Sequence, residues 1–388
     1  MIRTLILLGL SLAAAGPATA QTRLSAMRTD TGAAAADAAG VTFSFGGQIN
    51  PMVLHAEQGP RDRTFLADND GSGSRLEFRA EGRMGPDLTA GLELVLSAET
   101  HSSDGIGFGS QDRNGDAGDP RQAHVFVEGD RFGTLSVGKG DTAAEDAAHA
   151  DLSGTDFAGS ESDVDDVAGG LHFRDASGRD LGRLDGFFDM QDGDRALRVR
   201  YDTPDRNGVS FGISAAEGDD GDGLDPAVTF RYEGETGFGE VAAALAYRRA
   251  GRADDRTDAF WVGSASVLLP SGFNATVAAS RGDIAGQGEA PTAMFLKLGY
   301  LRDHFGIGET RVSVDHFRGE ANAAFGGPGG DLVEAGSWGF FAVQEIADLN
   351  TEAYLGFRRY ELDDVFVNDT RGEVDALNAV LVGARVRF

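Results

Sequence analysis

The 388 residues carry 62 Asp and Glu against 34 Lys and Arg, a formal net charge of −28, and no cysteine. That balance excludes a nucleic-acid binder, which needs clustered basic side chains, and the missing cysteines exclude a disulfide framework. Glycine, at 56 residues, is about twice its usual share without being periodic, the mark of many tight turns between alternating strands.

Taken in order, residues 1–20 read as a signal peptide. Arg3 supplies the positive end, Leu5 to Ala15 an apolar core, and Ala18-Thr19-Ala20 a small-residue cleavage site before Gln21. No later stretch approaches the ~18 to 20 apolar residues of a spanning helix. The mature chain is therefore expected to be exported without a transmembrane helix. Residues 21–40, Ala-rich and without aromatics, read as a linker or short leader.

From Val41 to Phe388 the chain repeats one unit: a strand of about ten residues, a short turn, another strand and a longer Asp/Gly-rich loop. In Ser74 to Met84, Leu76, Phe78 and Ala80 share one parity, while Arg75, Glu77, Arg79 and Glu81 share the other. Sixteen strands are predicted. The first eight lie near 41–57, 72–84, 88–100, 120–129, 133–139, 194–203, 208–218 and 225–236. The rest lie near 239–250, 257–269, 272–281, 290–302, 308–319, 334–347, 350–363 and 376–388. Gln58 to Gly71 reads as one of the long acidic loops. Trp338 to Val343 and Tyr354 to Tyr360 are apolar on both parities and leave their orientation open.

Alternation alone suits a soluble sandwich as well as a barrel. Short turns at one end, long loops at the other, an even strand count and a signal peptide favour an all-β transmembrane antiparallel barrel in the bacterial outer membrane. One segment fits no strand. From Asp141 to Asp166 there are nine carboxylates and no Lys or Arg. A loop of that length is expected to be functional, and here to fold into the lumen over about 140–193. Within it LHFRDASG and LGRLDGFFDM have strand character; paired as a wall hairpin, they would make eighteen strands and put Arg174 on the wall.

Three stretches carry a resemblance. The last strand, LVGARVRF, ends on Phe388 with an alternating apolar face. EGDRFGTLSVGKGDTAAEDAAHADLSGTDFAG contains Asp151-Leu152, then Asp156-Phe157 and Gly159. VRYDTPDRNGVSFGIS follows as a hairpin. Together these resemble the general Gram-negative outer-membrane porins, the trimeric sixteen-stranded diffusion channels. The resemblance implies a channel for small hydrophilic solutes and ions, assembled as a homotrimer in lipid and lipopolysaccharide, with Phe388 as an assembly signal. It further implies a constriction where Asp151 and Asp156 face Arg75 and Arg121. Glu145 and Asp146 on the loop, and Arg198 and Arg200 on the lumen parity of the next strand, are further candidates. The acid excess implies a preference for cations. A substrate-selective channel is the alternative within this class.

Other chemistry is weakly represented. Asp68, Asp70, Asp112, Asn114 and Asp116 occur at calcium-like spacing, as do Asp219, Asp220 and Asp222, but none sits in a complete twelve-residue loop. Solvated acidic turns explain them as well, and no cofactor other than calcium is indicated. A secreted, acidic, calcium-binding adhesin is the reading from a different class. Neither H-E-x-x-H nor G-x-S-x-G occurs, so no enzyme is expected.

Overall fold

The computed structural model describes residues 34–38, 40–109, 115–218, 223–251, 257–285, 290–321, 333–363, 365–367, 370–371 and 373–388. The signal peptide, most of the leader and Asp112, Asn114, Asp219, Asp220 and Asp222 lie outside them. One closed antiparallel sheet dominates. Its first stave is two segments, Val41–Ile49 and Pro51–Gln58, and its second is Arg61–Asp68 and Arg75–Arg83, interrupted by a helical turn at Asp70–Ser72. Fourteen further staves follow in simple up-and-down order to Leu377–Arg387. Leu377–Gly383 pairs with Met52–Gln58, and Gln48 and Ile49 pair with Arg387 and Val386, so last meets first and the barrel closes. Closure pairs the first stave with the last, removing the open edge that a sheet in lipid cannot leave. No described helix is long and apolar enough to cross a membrane.

The period-two pattern sorts onto two faces. In Thr257–Leu268, Asp258, Phe260, Val262, Ser264, Ser266 and Leu268 are buried inside while Trp261 and Ala265 stand outside. Val53, Leu66, Phe78, Leu92, Val125, Val199, Ile213, Leu296, Phe340 and Val382 are all exposed on the outer wall. An apolar exterior of this extent matches a lipid-facing band.

Two expectations change and two become definite. Gln58 to Gly71 is not a loop: Arg61–Asp68 is strand, paired with Pro51–Gln58 across Gly59 and Pro60. Its opening Arg-Asp-Arg run hides an alternation in which Phe65 and Ala67 turn inward and Leu66 outward. Part of the leader is also ordered. Ala34–Ala38 forms a hairpin with Val41–Phe45, extending the sheet where the last stave has ended. The strand number stands at sixteen, as predicted, against the eighteen-strand alternative. His172–Arg174 and Asp180–Arg183 do pair, but with each other, outside the wall. Gln58 exchanges hydrogen bonds with the Arg174 backbone, and the Ala176 amide donates to the Glu373 carbonyl, so Arg174 belongs to a surface hairpin. Finally, the long loop runs from residue 142 to 194, between the strands Gly133–Asp141 and Arg195–Asp202.

The doubly apolar stretches find their reason in this loop. Phe341, Tyr354 and Tyr360 face inward yet are buried, because the loop covers them. Phe157 meets Tyr354 edge-on at 5.8 Å between ring centres, and Phe188 packs against Tyr360 and Phe317.

Candidate functional site

The 142–194 loop crosses the lumen and lies against one side of the wall. Small inward residues leave it room: Ala227, Ala242, Ala244, Ala246 and Ala278 are buried in one cluster with loop residues Ala143, Ala144, Ala147 and Ala148. Wall hydroxyls then satisfy its backbone. Ser214 accepts from the Ala143 amide, Ser264 from Ala150 and Ser266 from Leu152, at 2.8 to 3.0 Å. Ser264 also donates to the Ala147 carbonyl. Buried backbone groups need such partners, and here the wall supplies what secondary structure does not.

Two buried ion pairs complete the docking. Lys297, wholly buried on the strand Thr292–Asp303, binds the Asp151 carboxylate and donates to Ser153. Asp151 also accepts from Thr276 and from the Ser153 amide. Arg358 pairs bidentately with Asp315 at 2.8 and 3.0 Å and donates to the Gly159 carbonyl, while Ser160 donates to Asp315. Gly159 closes the one-turn helix Asp156–Ala158 at φ +111°, and a Cβ there would stand 2.3 Å from Val167. Only glycine adopts that conformation without strain.

On the other side an open cavity of about 1040 Å³ remains. Its lining joins inward side chains of the first six staves to the free edge of the loop. Arg75, Arg79, Arg121, Arg198 and Arg200 come from the wall and Arg195 from the first residue of the strand that leaves the loop; Glu145, Asp146, His149, Glu161, Asp163, Asp166 and Asp192 come from the loop. The guanidinium groups are held by neighbours. Arg75 pairs with Glu77 at 2.7 Å, Arg79 with Glu81, Glu93 and Glu128, and Arg200 with Asp202 at 2.8 Å. Arg121 stands 3.7 Å from Glu99, Arg195 bridges Asp141 and Glu145, and Arg198 donates to the Asp141 carbonyl.

The carboxylates on the loop crowd one another. Burial, compounded by neighbouring carboxylates, pushes Glu145, Glu161, Asp165 and Asp166 well above the usual carboxylate range. The same causes, with Asp163 foremost among the neighbours, raise Asp189 to about 6 and Asp192 to about 8. Burial alone would lower the His149 imidazole, but Asp163, Asp192 and Glu161 outweigh it and lift it well above its ordinary value. These groups titrate as a set rather than singly.

The structure thus gathers six of the eight residues singled out for the neck: Glu145, Asp146, Arg75, Arg121, Arg198 and Arg200 line one cavity. Asp151 and Asp156 are not among its lining residues. Asp151 is consumed by Lys297, and Asp156 sits in the docked turn, where burial and Asp151 raise its carboxyl and Lys297 and Arg385 oppose that. An acid inside a loop can face either way, and the deciding partner, Lys297, is 146 positions downstream in sequence. Its signal was legible: a lone Lys at inward parity in the apolar run TAMFLKLGY. His149, Asp163, Asp192, Arg79 and Arg195 were also missed, although Arg79 shares its parity with Arg75.

Of the calcium-like residues, Asp68 accepts from Ser74 and from the Thr100 and His101 amides, holding the break in the second stave to the following loop. Asp70 and Asp116 line the cavity, and Asp116 accepts from Ser97. At the closing seam the Phe388 backbone exchanges hydrogen bonds with Gly47, and its ring lies 6.2 Å from Phe45.

Among curated proteins no relative matches this chain. Solved structures of the same fold are numerous. The anion-selective porin from Comamonas acidovorans matches with a TM-score of 0.59 at 17% identity, covering 90% of this chain and 100% of that one. OmpT of Vibrio cholerae in its trimer form gives 0.56 at 13% identity, over 90% and 99%. OmpF of Salmonella typhi, in complex with daunomycin, gives 0.55 at 13% identity, over 92% and 100%. A family profile described as Gram-negative porin matches residues 6–365. A closed sixteen-stranded wall, an apolar exterior, a loop folded into a charged lumen and a family match along nearly the whole chain agree: the chain belongs to the Gram-negative porins and is a channel protein of the outer membrane.

Proposed function

We propose that this channel passes small hydrophilic solutes and ions passively and prefers cations, and that it works as a homotrimer in lipid and lipopolysaccharide. The observation that carries the ion preference is the lining itself: fifteen carboxylates against six guanidinium groups around one cavity. Wall arginines pair with wall carboxylates or donate to backbone carbonyls, and Arg195 bridges Asp141 to Glu145, so the net field is set by the excess of acids over guanidinium groups. Ordered charge across a narrow aqueous neck orients polar solutes and penalises apolar ones, which cannot replace the ordered water. The constriction in this reading is formed by Glu145, Asp146, Glu161 and Asp163 on the loop facing Arg75, Arg79, Arg121, Arg198 and Arg200.

The shared fold does not dictate the sign of selectivity. The Comamonas protein is named as anion-selective on the same architecture, so side chains in the lumen decide. A neighbour described in a trimer form supports the oligomeric reading. Phe388, pinned at the closing seam, serves as the assembly signal in this account. Reversal potentials across a planar bilayer under a KCl gradient test the proposal. A cation-selective potential is expected; an anion-selective one would overturn the charge argument.

A further inference from the structure

One cluster on the loop has a composition that lumen electrostatics does not require. His149, Asp163 and Asp192 each offer a ligand atom, and these atoms lie within 4.8 Å of one another. All three line the lumen cavity. They come from three separate parts of the loop, brought together by its fold. His149 Nε2 lies 2.8 Å from Asp163 Oδ2, while the Met190 amide donates to Asp163 Oδ1 at 3.4 Å and so orients that carboxylate. The His149 amide donates to the Asp146 carbonyl and Ser162 donates to the Ala148 carbonyl, which together fix the segment carrying the imidazole.

A second, independent observation concerns unmet polar atoms. Asp192 Oδ2 is buried without a hydrogen-bond partner. Glu161, only 7% exposed, brings one carboxylate oxygen to 4.0 Å from His149 Nδ1, and its other oxygen is buried with no partner. Asp146 stands 4.0 Å from the same nitrogen. The single imidazole can offset one of these carboxylates, and the lone pairs on Asp192 Oδ2 and on the second Glu161 oxygen remain unmatched. Burying such anions without a counter-charge is costly, and neither Lys nor Arg is among the three ligating residues.

We propose that His149, Asp163 and Asp192, with Glu161 beside them, form a binding site for a divalent transition-metal ion on the lumen side of the loop. One imidazole with two or three carboxylate oxygens suits zinc-like ions rather than calcium, which takes six to eight oxygens, or magnesium, which keeps its water. The acidic lumen would concentrate such cations at the site. A bound dication would cancel charge on the acidic side of the neck, lowering conductance and cation preference.

Binding is read on untagged, detergent-folded protein by calorimetry with Zn²⁺, and separately in planar bilayers. One ion per chain is expected, with binding at least about tenfold weaker in His149→Gln and in Asp192→Asn. Both variants keep the wall docking intact, and heat-modifiable migration in gels verifies their folding. Equal zinc binding by wild type and both variants overturns the site. So does Ca²⁺ displacing Zn²⁺ on equal terms, because that signals diffuse screening. In the bilayer, micromolar Zn²⁺ should reduce the wild-type cation preference and spare His149→Gln; an equal effect on both overturns the proposed coupling. The coupling rests on the cation-preferring lumen proposed above, whereas the calorimetry does not. A metal-free channel that proves anion-selective would sink that lumen reading and leave the binding result standing.

Discussion

The two sides of this barrel are built from the same alternating strands and end up with opposite interiors. On the staves Val41–Ile49 to Arg195–Asp202, the inward charges are Arg and Glu that border an open cavity, while Met52, Leu54, Phe65 and Ala67 join the core. On the staves Val209–Glu217 to Thr351–Asp363, inward side chains are Ala, Ser, Thr and aromatics under a docked loop, with Lys297, Asp315 and Arg358 fully covered. Charge serves different ends on the two sides. On the open side it is solvated and sets a field. On the covered side the buried charges are held in ion pairs, Lys297 with Asp151, Arg358 with Asp315 and Arg311 with Glu352, because a buried charge without a partner is far more expensive than one in water.

The covered side should be the more fragile. Asp151→Asn leaves Lys297 buried without its counter-charge and is expected to cost about 3 to 5 kcal/mol, read as a lower urea midpoint in detergent or lipid. If the midpoint does not move, the loop is not docked through this pair. Replacing both as Asp151→Asn with Lys297→Met should recover much of the loss, since no orphan charge then remains.

Gly159→Ala probes the same side through the backbone. Its φ of +111° and the close Val167 methyl predict a loss of about 1 to 3 kcal/mol. Noisier open-channel current should accompany it as the turn loosens. An unchanged midpoint would mean that the turn relaxes freely and that the docking is looser than drawn here.

On the open side the expected effects are on selectivity, with little change in stability. Glu145→Gln combined with Asp146→Asn should lower the potassium-to-chloride permeability ratio by about two- to threefold, an order-of-magnitude expectation from removing two fixed charges in a neck. Arg75→Ala should raise it. If Asp151→Asn shifted the ratio as strongly as the loop-edge pair, the two sides would not be electrically distinct.

The smallest and most graded effect is that of pH. Asp189 and Asp192 ionise near 6 and 8, far above free aspartate. Between the free-aspartate value and those values the folded chain holds protons that the unfolded chain has released. Their contribution therefore favours folding below about pH 4 and is lost as pH rises through 6 and then 8. Conduction moves the other way. Asp192 lines the lumen cavity and gains charge as pH rises through about 8, so reversal potentials at roughly pH 5.5 and 8.5 should show cation preference increasing with pH. A flat profile would place Asp192 outside the conduction path.

Much of this was legible in the chain. Period-two alternation yields the staves, and Gly- and Asp-rich turns yield their number. The inward parity of Arg75, Arg121, Arg198 and Arg200 follows from the same pattern. Reading failed where one parity carried no contrast. Arg61–Asp68 looked like a loop because its charges sit at the exposed rim, and Tyr354 to Tyr360 looked undecidable because the loop makes an apolar interior there.

The sequence by itself determined an acidic barrel of alternating strands with one long acidic loop, since the face of each strand follows from local alternation that needs no distant partner. Only the tertiary structure decided which acids of that loop face the lumen. Asp151 and Asp163 are alike in type and neighbourhood along the chain, yet Asp151 goes to Lys297 on the wall and Asp163 to His149 beside the cavity. For Asp151 the choice depends on a partner contributed by a stave far along the chain, and a loop without periodicity carries no face of its own until the staves close around it.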